Sequence, residues 1–161
     1  DLFCQVNMWF VVDQLYKKGQ SNQQIFLIRP EKLSPYGFGG LSESELLTIY
    51  QNKTSLSQTD RISKLWRNYQ NDNTDQLLEL SIELEALYPF IRKAAEAHLE
   101  RIPKDDNPGR PTQSLMEIMK ELNTKEFGPI FREFNQREAI YGFGDLQVKR
   151  IYDHILNSGL L

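Results

Sequence analysis

Apolar residues recur at the spacing of an α-helix in the last seventeen residues of the chain, 145–161. One side of this segment carries Leu146, Val148, Ile151, Ile155 and Leu156, and the other side is largely polar. Asp145 stands where a short side chain can accept hydrogen bonds from the first turn. Gly159 stands where a helix commonly ends. The pattern therefore predicts a helix that begins at Asp145 and stops before Gly159.

Two more amphipathic segments precede this helix, at 114–122 and at 127 to about 138. Pro129 falls in the first turn of the second segment, where a proline is tolerated. The stretch 103–113 contains three prolines and one glycine and is interpreted as a linker or long loop. Three short helices, with the last facing partly outward, predict a helix-turn-helix-like (winged-helix-like) domain at 103–161.

The start of the chain alternates between two kinds of pattern. Residues 2–18 show helical spacing, and the run IFLI at 25–28, closed by Pro30, is typical of a buried strand. A single strand is not stable alone, and no partner strand is evident, so its partners are expected outside this sequence. Residues 1–33 are therefore interpreted as the end of an α/β region, in a chain that looks truncated at its N-terminus.

The middle of the chain, 34–102, is predicted to be helical after a glycine-rich loop, SPYGFGGL. Ser42 and Glu45 form a capping box that begins a short helix, and Ser57 and Asp60 suggest a second box. A further helix is predicted at 77–87, and another begins at Pro89 and runs to about residue 101. The whole chain is thus predicted to be mainly α (α+β overall).

Composition narrows the classes of function. The net charge of -3 and the pI near 5.5 are unlike those of most nucleic-acid or acidic-membrane binders. The apolar runs are too short to span a membrane, and no secretory signal is visible. With one cysteine, Cys4, interpreted as a buried apolar residue, a cytoplasmic location is predicted. His98 and His154 stand far apart, so no metal site and no cofactor are expected.

The chain resembles a bacterial family in the order and spacing of five motifs. These are DLFCQVN at 1–7, LSESEL at 41–46, LWRNY at 65–69, YPFIRKAAEAHLERIP at 88–103 and REAIYGFGDLQVKRI at 137–151. Together they look like proteins of the domain of unknown function 1835, with the C-terminal part similar to the domain of unknown function 3658. The resemblance implies a further α/β segment before Asp1. At 104–113 the chain departs from the family, which usually has a short Asn-Gly-Leu turn there.

One candidate ligand site lies near the start of the chain. Asp1, Gln5 and Asn7 bring polar groups to the first helix, where a preceding strand would end. Gly37, Gly39 and Gly40 belong to a loop that could offer backbone N–H groups to an anion. Their spacing does not match a dinucleotide or phosphate-binding loop. The alternative is that Asp1 caps the helix and that Gln5 and Asn7 fill surface or satisfy core polar groups.

A second candidate is the outward face of the helix that begins at Asp145. Gln147, Lys149, Arg150 and His154 could contact base edges, phosphates or a protein partner. Residues 99–161 contain nine basic and ten acidic side chains, and this balance disfavours nucleic acid.

The favoured function is a non-catalytic regulatory or interaction module with a protein partner or a second copy of the chain. Two alternatives stay open: an enzyme or ligand-binding protein with a pocket near Asp1, Gln5 and 36–40, and nucleic-acid binding through the last helix. No pattern identifies a reaction or a substrate.

Overall fold

Helices dominate residues 1–19, 24–30 and 37–159, the part of the chain that the computed structural model describes. Eight α-helices and two short strands occur there, which confirms the predicted mainly α class. The helices are α1 (Leu2–Lys17), α2 (Glu43–Gln51), α3 (Thr59–Gln70), α4 (Thr74–Glu83), α5 (Pro89–Glu100), α6 (Arg110–Leu122), α7 (Phe127–Arg137) and α8 (Asp145–Ser158). The strands are β1 (Phe26–Leu27) and β2 (Thr54–Ser55), and 3-10 turns occupy Gly37–Gly40 and Ala139–Tyr141. Within these residues, no helix has the length and apolar character that crossing a membrane requires.

Contacts divide the chain into two units. Phe3–Ala95 forms one, here the N-terminal unit, and Asp1–Leu2 with Glu96–Leu161 forms the other, here the C-terminal unit. The division into 1–33, 34–102 and 103–161 stays a prediction.

The core of the N-terminal unit is built where α1 meets α3. Trp9 is fully buried and packs edge-on against Tyr69, with ring centres 6.3 Å apart. Asp13, also fully buried, accepts a hydrogen bond from Ser63 at 2.8 Å. Further core residues of this unit are Val12, Ile62, Leu65, Leu77, Leu84 and Ile91. Cys4 is exposed on α1, so its interpretation as a buried residue is wrong.

The strand predicted at 25–28 is shorter and less buried than expected. β1 pairs with β2 in antiparallel register, Phe26 opposite Ser55 and Leu27 opposite Thr54, and Phe26 is 42% exposed. The prediction of a buried strand with all its partners outside the sequence is therefore wrong. A run of four apolar residues cannot distinguish a buried strand from a half-exposed one, and Thr54–Ser55 carries no apolar signal.

Helices α6, α7 and α8 of the C-terminal unit share one apolar core. It contains Leu115, Ile118, Met119, Ile130, Phe134, Val148, Tyr152 and Ile155. Helix α6 begins four residues earlier than predicted, so 110–113 of the predicted linker is helical, with Pro111 in the first turn. Residues 138–144 connect α7 to α8, a longer connection than the three or four residues of a helix-turn-helix. The helix-turn-helix assignment stays a prediction.

Helix starts follow the predicted chemistry in some places and not in others. The Ser42 backbone N–H donates to Glu45 at 2.8 Å, which confirms the first capping box. The second box is wrong, because α3 begins after Gln58, a left-handed residue, without a side-chain cap. Gly144, not Asp145, is the N-cap of α8, and its N–H donates to Gln147 at 2.6 Å.

Candidate functional site

A cavity of about 920 Å³ lies within the N-terminal unit. Helix α2, the strand pair and the start of α5 form its walls. Helix α2 contributes Ser44, Glu45, Thr48 and Ile49, and the strand pair contributes Leu27, Thr54 and Ser55. The start of α5 and the residues just before it contribute Leu87, Tyr88, Pro89 and Phe90. A volume of this size is typical of sites for small organic molecules.

Two helix N-termini open onto the cavity because of local sequence signals. The capping box at Ser42 begins α2, so Ser44 and Glu45 lie in its first turn. Pro89 begins α5 at a position where its missing N–H has no intrahelical role. Since the N-terminal end of a helix carries partial positive charge, both ends favour an anion over a cation nearby.

Arg29 is the one cation among the described residues that line the cavity. Its guanidinium lies over the Phe90 ring, 4.6 Å from the ring centre. No ion pair joins it to another described residue, so its hydrogen-bond donors are not committed to a carboxylate of this part of the chain. A guanidinium over the face of an aromatic ring can still direct N–H groups to a planar acceptor.

Tyr88 anchors the wall between β2 and α5. Its hydroxyl accepts a hydrogen bond from the Ser57 N–H at 2.8 Å and donates to the Ser57 carbonyl at 3.2 Å. The side chain is buried, with 6% of its surface exposed. The Tyr88 hydroxyl thus stabilises the wall through its hydrogen bonds to Ser57, and the residue lines the cavity.

Glu45 is the one carboxylate among the described lining residues. Hydrogen bonds from the Ser42 hydroxyl at 2.6 Å and from the Ser42 backbone N–H hold its pKa below the ordinary value. The side chain is therefore an ionised cap of α2, and it is not free to act as a general base.

The structure disperses the residues predicted at the first candidate site. Gly37 lines the cavity, and Gly39 and Gly40 follow it in an exposed 3-10 turn. Gln5 is half-buried and Asn7 is exposed on α1, and neither is among the described lining residues. Asp1 belongs to the C-terminal unit, where its carboxyl group packs against Gly142: a Cβ added to that glycine would lie 2.8 Å from the Asp1 Cγ.

Two of the four residues predicted on the outward face of α8 are engaged within the C-terminal unit. Lys149 forms an ion pair with Asp153, and its amine lies 4.9 Å from the centre of the Tyr152 ring. Gln147 accepts the N-cap hydrogen bond described above. Arg150 and His154 are exposed. Because Lys149 is paired with Asp153, the outward face of α8 has less unpaired positive charge than its sequence indicated.

Another ionic network of the C-terminal unit surrounds Arg110. Its guanidinium contacts Glu100 at 2.6 Å and Glu138 at 3.0 Å, and it lies 5.8 Å from the centre of the Tyr141 ring. Burial raises the pKa of Tyr141 to about 12, so the hydroxyl stays protonated at neutral pH. These contacts join the start of α6 to Glu100 at the end of α5 and to Glu138 after α7.

The cavity residues that matter most, Arg29, Thr48 and Phe90, carry no local signal in the sequence. Arg29 stands alone between an apolar run and Pro30, and Phe90 looks like an ordinary core residue. Across the described part of the chain, no three His, Cys, Asp or Glu side chains come together in a way that could hold a metal ion. Comparisons with models of protein families, with curated proteins and with solved structures gave no match for this chain.

Proposed function

We propose that the chain is a non-catalytic regulatory or interaction module whose N-terminal unit binds a small organic ligand in the cavity. The observation that carries the proposal is the cavity itself: about 920 Å³, lined by apolar and aromatic side chains together with hydroxyl, amide and charged groups. Membership of the family with domains of unknown function 1835 and 3658 is part of the proposal and rests on the order of its motifs.

The chemistry of the lining favours binding over catalysis. Arg29 cannot serve as a general base, because a guanidinium keeps its proton in proteins. Glu45 caps α2, and Tyr88 is bonded to Ser57. Among the described lining residues, no histidine is present to activate the hydroxyls of Ser44, Thr48, Thr54, Ser55 and Ser57. Such groups orient a ligand and do not transform it.

A neutral fluorescent probe tests the proposal. N-phenyl-1-naphthylamine becomes bright in apolar surroundings, and we expect saturable binding of one molecule per full-length chain. In Thr48→Trp, a large ring replaces a small side chain on the cavity wall, so affinity should fall at least about tenfold, the loss of roughly one buried apolar group. The Thr48 hydroxyl donates only to the Ser44 carbonyl of the same helix, so its loss should leave the fold intact.

Gln51→Trp is the matched control, since Gln51 is exposed on the same helix and is not a lining residue. It should bind the probe as the unchanged protein does. Equal binding by the protein and by Thr48→Trp, or no saturable binding at all, would contradict the proposal. Circular dichroism of both variants verifies that each is folded.

A further inference from the structure

We infer that the ligand of the cavity is an amphipathic carboxylate, with its carboxylate on Arg29 and its apolar body against the aromatic wall. The inference rests on the proposed function and adds the chemical class of the ligand. Three features of the lining support it: the uncommitted guanidinium, the apolar surface beside it, and the small number of positive charges.

The guanidinium supplies the anchor for a negative charge. Arg29 has no ionic partner in the described residues, and its guanidinium lies over the Phe90 ring, 4.6 Å from the ring centre. An arginine edge matches a carboxylate with two parallel hydrogen bonds, and such charge-assisted bonds are about twice as strong as neutral ones. The first turn of α5 adds a positive potential in the same cavity, whereas that of α2 is already met by the Glu45 carboxylate.

The surface beside Arg29 suits an apolar body. Leu27, Leu41, Ile49 and Leu87 line the cavity together with Pro89 and the rings of Tyr88 and Phe90. Five hydroxyls, the Asn52 amide and the Glu45 carboxylate interrupt this surface; the hydroxyls belong to Ser44, Thr48, Thr54, Ser55 and Ser57. Thr48, Ser57 and Glu45 already form hydrogen bonds with Ser44, Tyr88 and Ser42, respectively. A fully ionic or sugar-like ligand would compete with these existing hydrogen bonds, and each of its polar groups left without a partner would carry a cost. An apolar chain or ring would be desolvated favourably.

The charge balance separates a carboxylate from a phosphate. A phosphate monoester carries about -1.5 to -2 charges and three acceptor oxygens at neutral pH. The described lining has one cation to meet them, and the ionised Glu45 carboxylate lies on the wall and repels additional negative charge. A single negative charge delocalised over two oxygens matches one guanidinium.

Displacement of the bound N-phenyl-1-naphthylamine measures this preference. The competitors are 4-phenylbutyrate and 4-phenylbutan-1-ol, which share a carbon skeleton and differ in charge. With the full-length protein we expect the acid to displace the probe at a concentration at least about tenfold lower than the alcohol, as a charge-assisted pair predicts. Millimolar inorganic phosphate should displace nothing.

Arg29→Gln should bring the acid and the alcohol to within about twofold of each other, each measured relative to the affinity of that variant for the neutral probe. Arg29→Lys keeps the charge without the planar edge and should retain part of the preference. Lys64→Gln is the matched control: it removes one positive charge from an exposed position on α3, outside the cavity lining, and should leave the ratio intact.

The outcomes separate the two proposals. Probe binding with no preference for the acid, or a preference that survives Arg29→Gln, overturns the inference and leaves the proposed function standing. Displacement by inorganic phosphate as effective as that by the acid also overturns it. Absence of saturable probe binding overturns both.

Discussion

Replacing Asp13 by Asn tests how far one buried carboxylate stabilises the N-terminal unit. The Asp13 carboxylate has no exposed surface and accepts hydrogen bonds from Ser63 at 2.8 Å and Arg67 at 3.1 Å. Lys17 pairs with it from the next turn of α1 at 2.7 Å. Asn keeps the shape and one acceptor oxygen, so the bond from Ser63 can persist, and the two ionic contacts are lost.

The expected cost follows from those two contacts. A hydrogen bond to a charged group contributes about 1.5–3 kcal/mol when buried. Lys17 and Arg67 keep 53% and 45% of their side chains exposed, so water screens each contact and about 1 kcal/mol apiece is a reasonable share. The amide NH₂ group of Asn would also face the Lys17 or Arg67 donors, where the Asp13 carboxylate presents an oxygen. We expect Asp13→Asn to lower the free energy of unfolding by about 2–3 kcal/mol at pH 7.

This difference should depend on pH. Burial alone would raise the pKa of Asp13, and the hydrogen bonds from Lys17, Ser63 and Arg67 outweigh burial and leave the pKa below the ordinary value of 3.8. A lowered folded pKa gives stability that is complete above the unfolded pKa and disappears as the pH falls through the folded pKa. The gap between the protein and Asp13→Asn should therefore be widest near neutral pH and narrow below about pH 4.

Urea unfolding followed by circular dichroism, at several values of pH between neutral and acidic, measures the gap. Asp72→Asn is the matched control, because Asp72 is exposed and its left-handed backbone, with φ of 54°, accepts Asn equally well. That variant should stay within about 0.5 kcal/mol of the unchanged protein. A gap under about 0.5 kcal/mol for Asp13→Asn at pH 7, or one that does not change with pH, would refute the reasoning.

Two further outcomes are expected in the C-terminal unit. Gly109→Ala should cost about 3 kcal/mol or more in urea unfolding, because φ is +85° and the new Cβ would lie 2.5 Å from the Arg101 carbonyl oxygen. Gly159→Ala, with φ of +66° and open space around it, should cost only about 1 kcal/mol. If both substitutions lowered the free energy of unfolding equally, the clash with the Arg101 carbonyl would not explain the cost at Gly109. The double change Lys149→Ala and Arg150→Ala should leave the retention of mixed DNA duplexes unchanged in a low-salt gel shift. If the unchanged protein bound DNA at micromolar concentration and the double change abolished that binding, the expectation that α8 does not bind nucleic acid would be contradicted.

Local chemistry made some elements predictable from the sequence. Ser42 with Glu45 and Pro89 each marked a helix start that the structure has at that place. Gly159, predicted to end α8, is its left-handed C-cap. In each case the signal and the structure that it specifies lie within a few residues of each other, so no tertiary contact was needed to read it.

Long-range pairing explains the elements that the sequence did not predict. β1 exists because Leu27 meets Thr54, and the cavity exists because Arg29, Thr48 and Phe90 approach from three distant segments. Nothing in the polar pair Thr54–Ser55 indicates a strand, and an arginine followed by a proline is typical of a loop. The candidate ligand site was therefore predicted only at its edge, at Gly37.

Helix α2 has a consequence for motion within the N-terminal unit. None of its nine residues is buried, although Ser44, Glu45, Thr48 and Ile49 line the cavity. A helix of this length is marginal on its own, so few contacts oppose its local unfolding. A ligand in the cavity would supply contacts that the helix otherwise lacks and would thereby slow its opening. Amide hydrogen exchange at Glu43–Gln51 thus measures the occupancy of the cavity without a fluorescent probe, whatever molecule fills it.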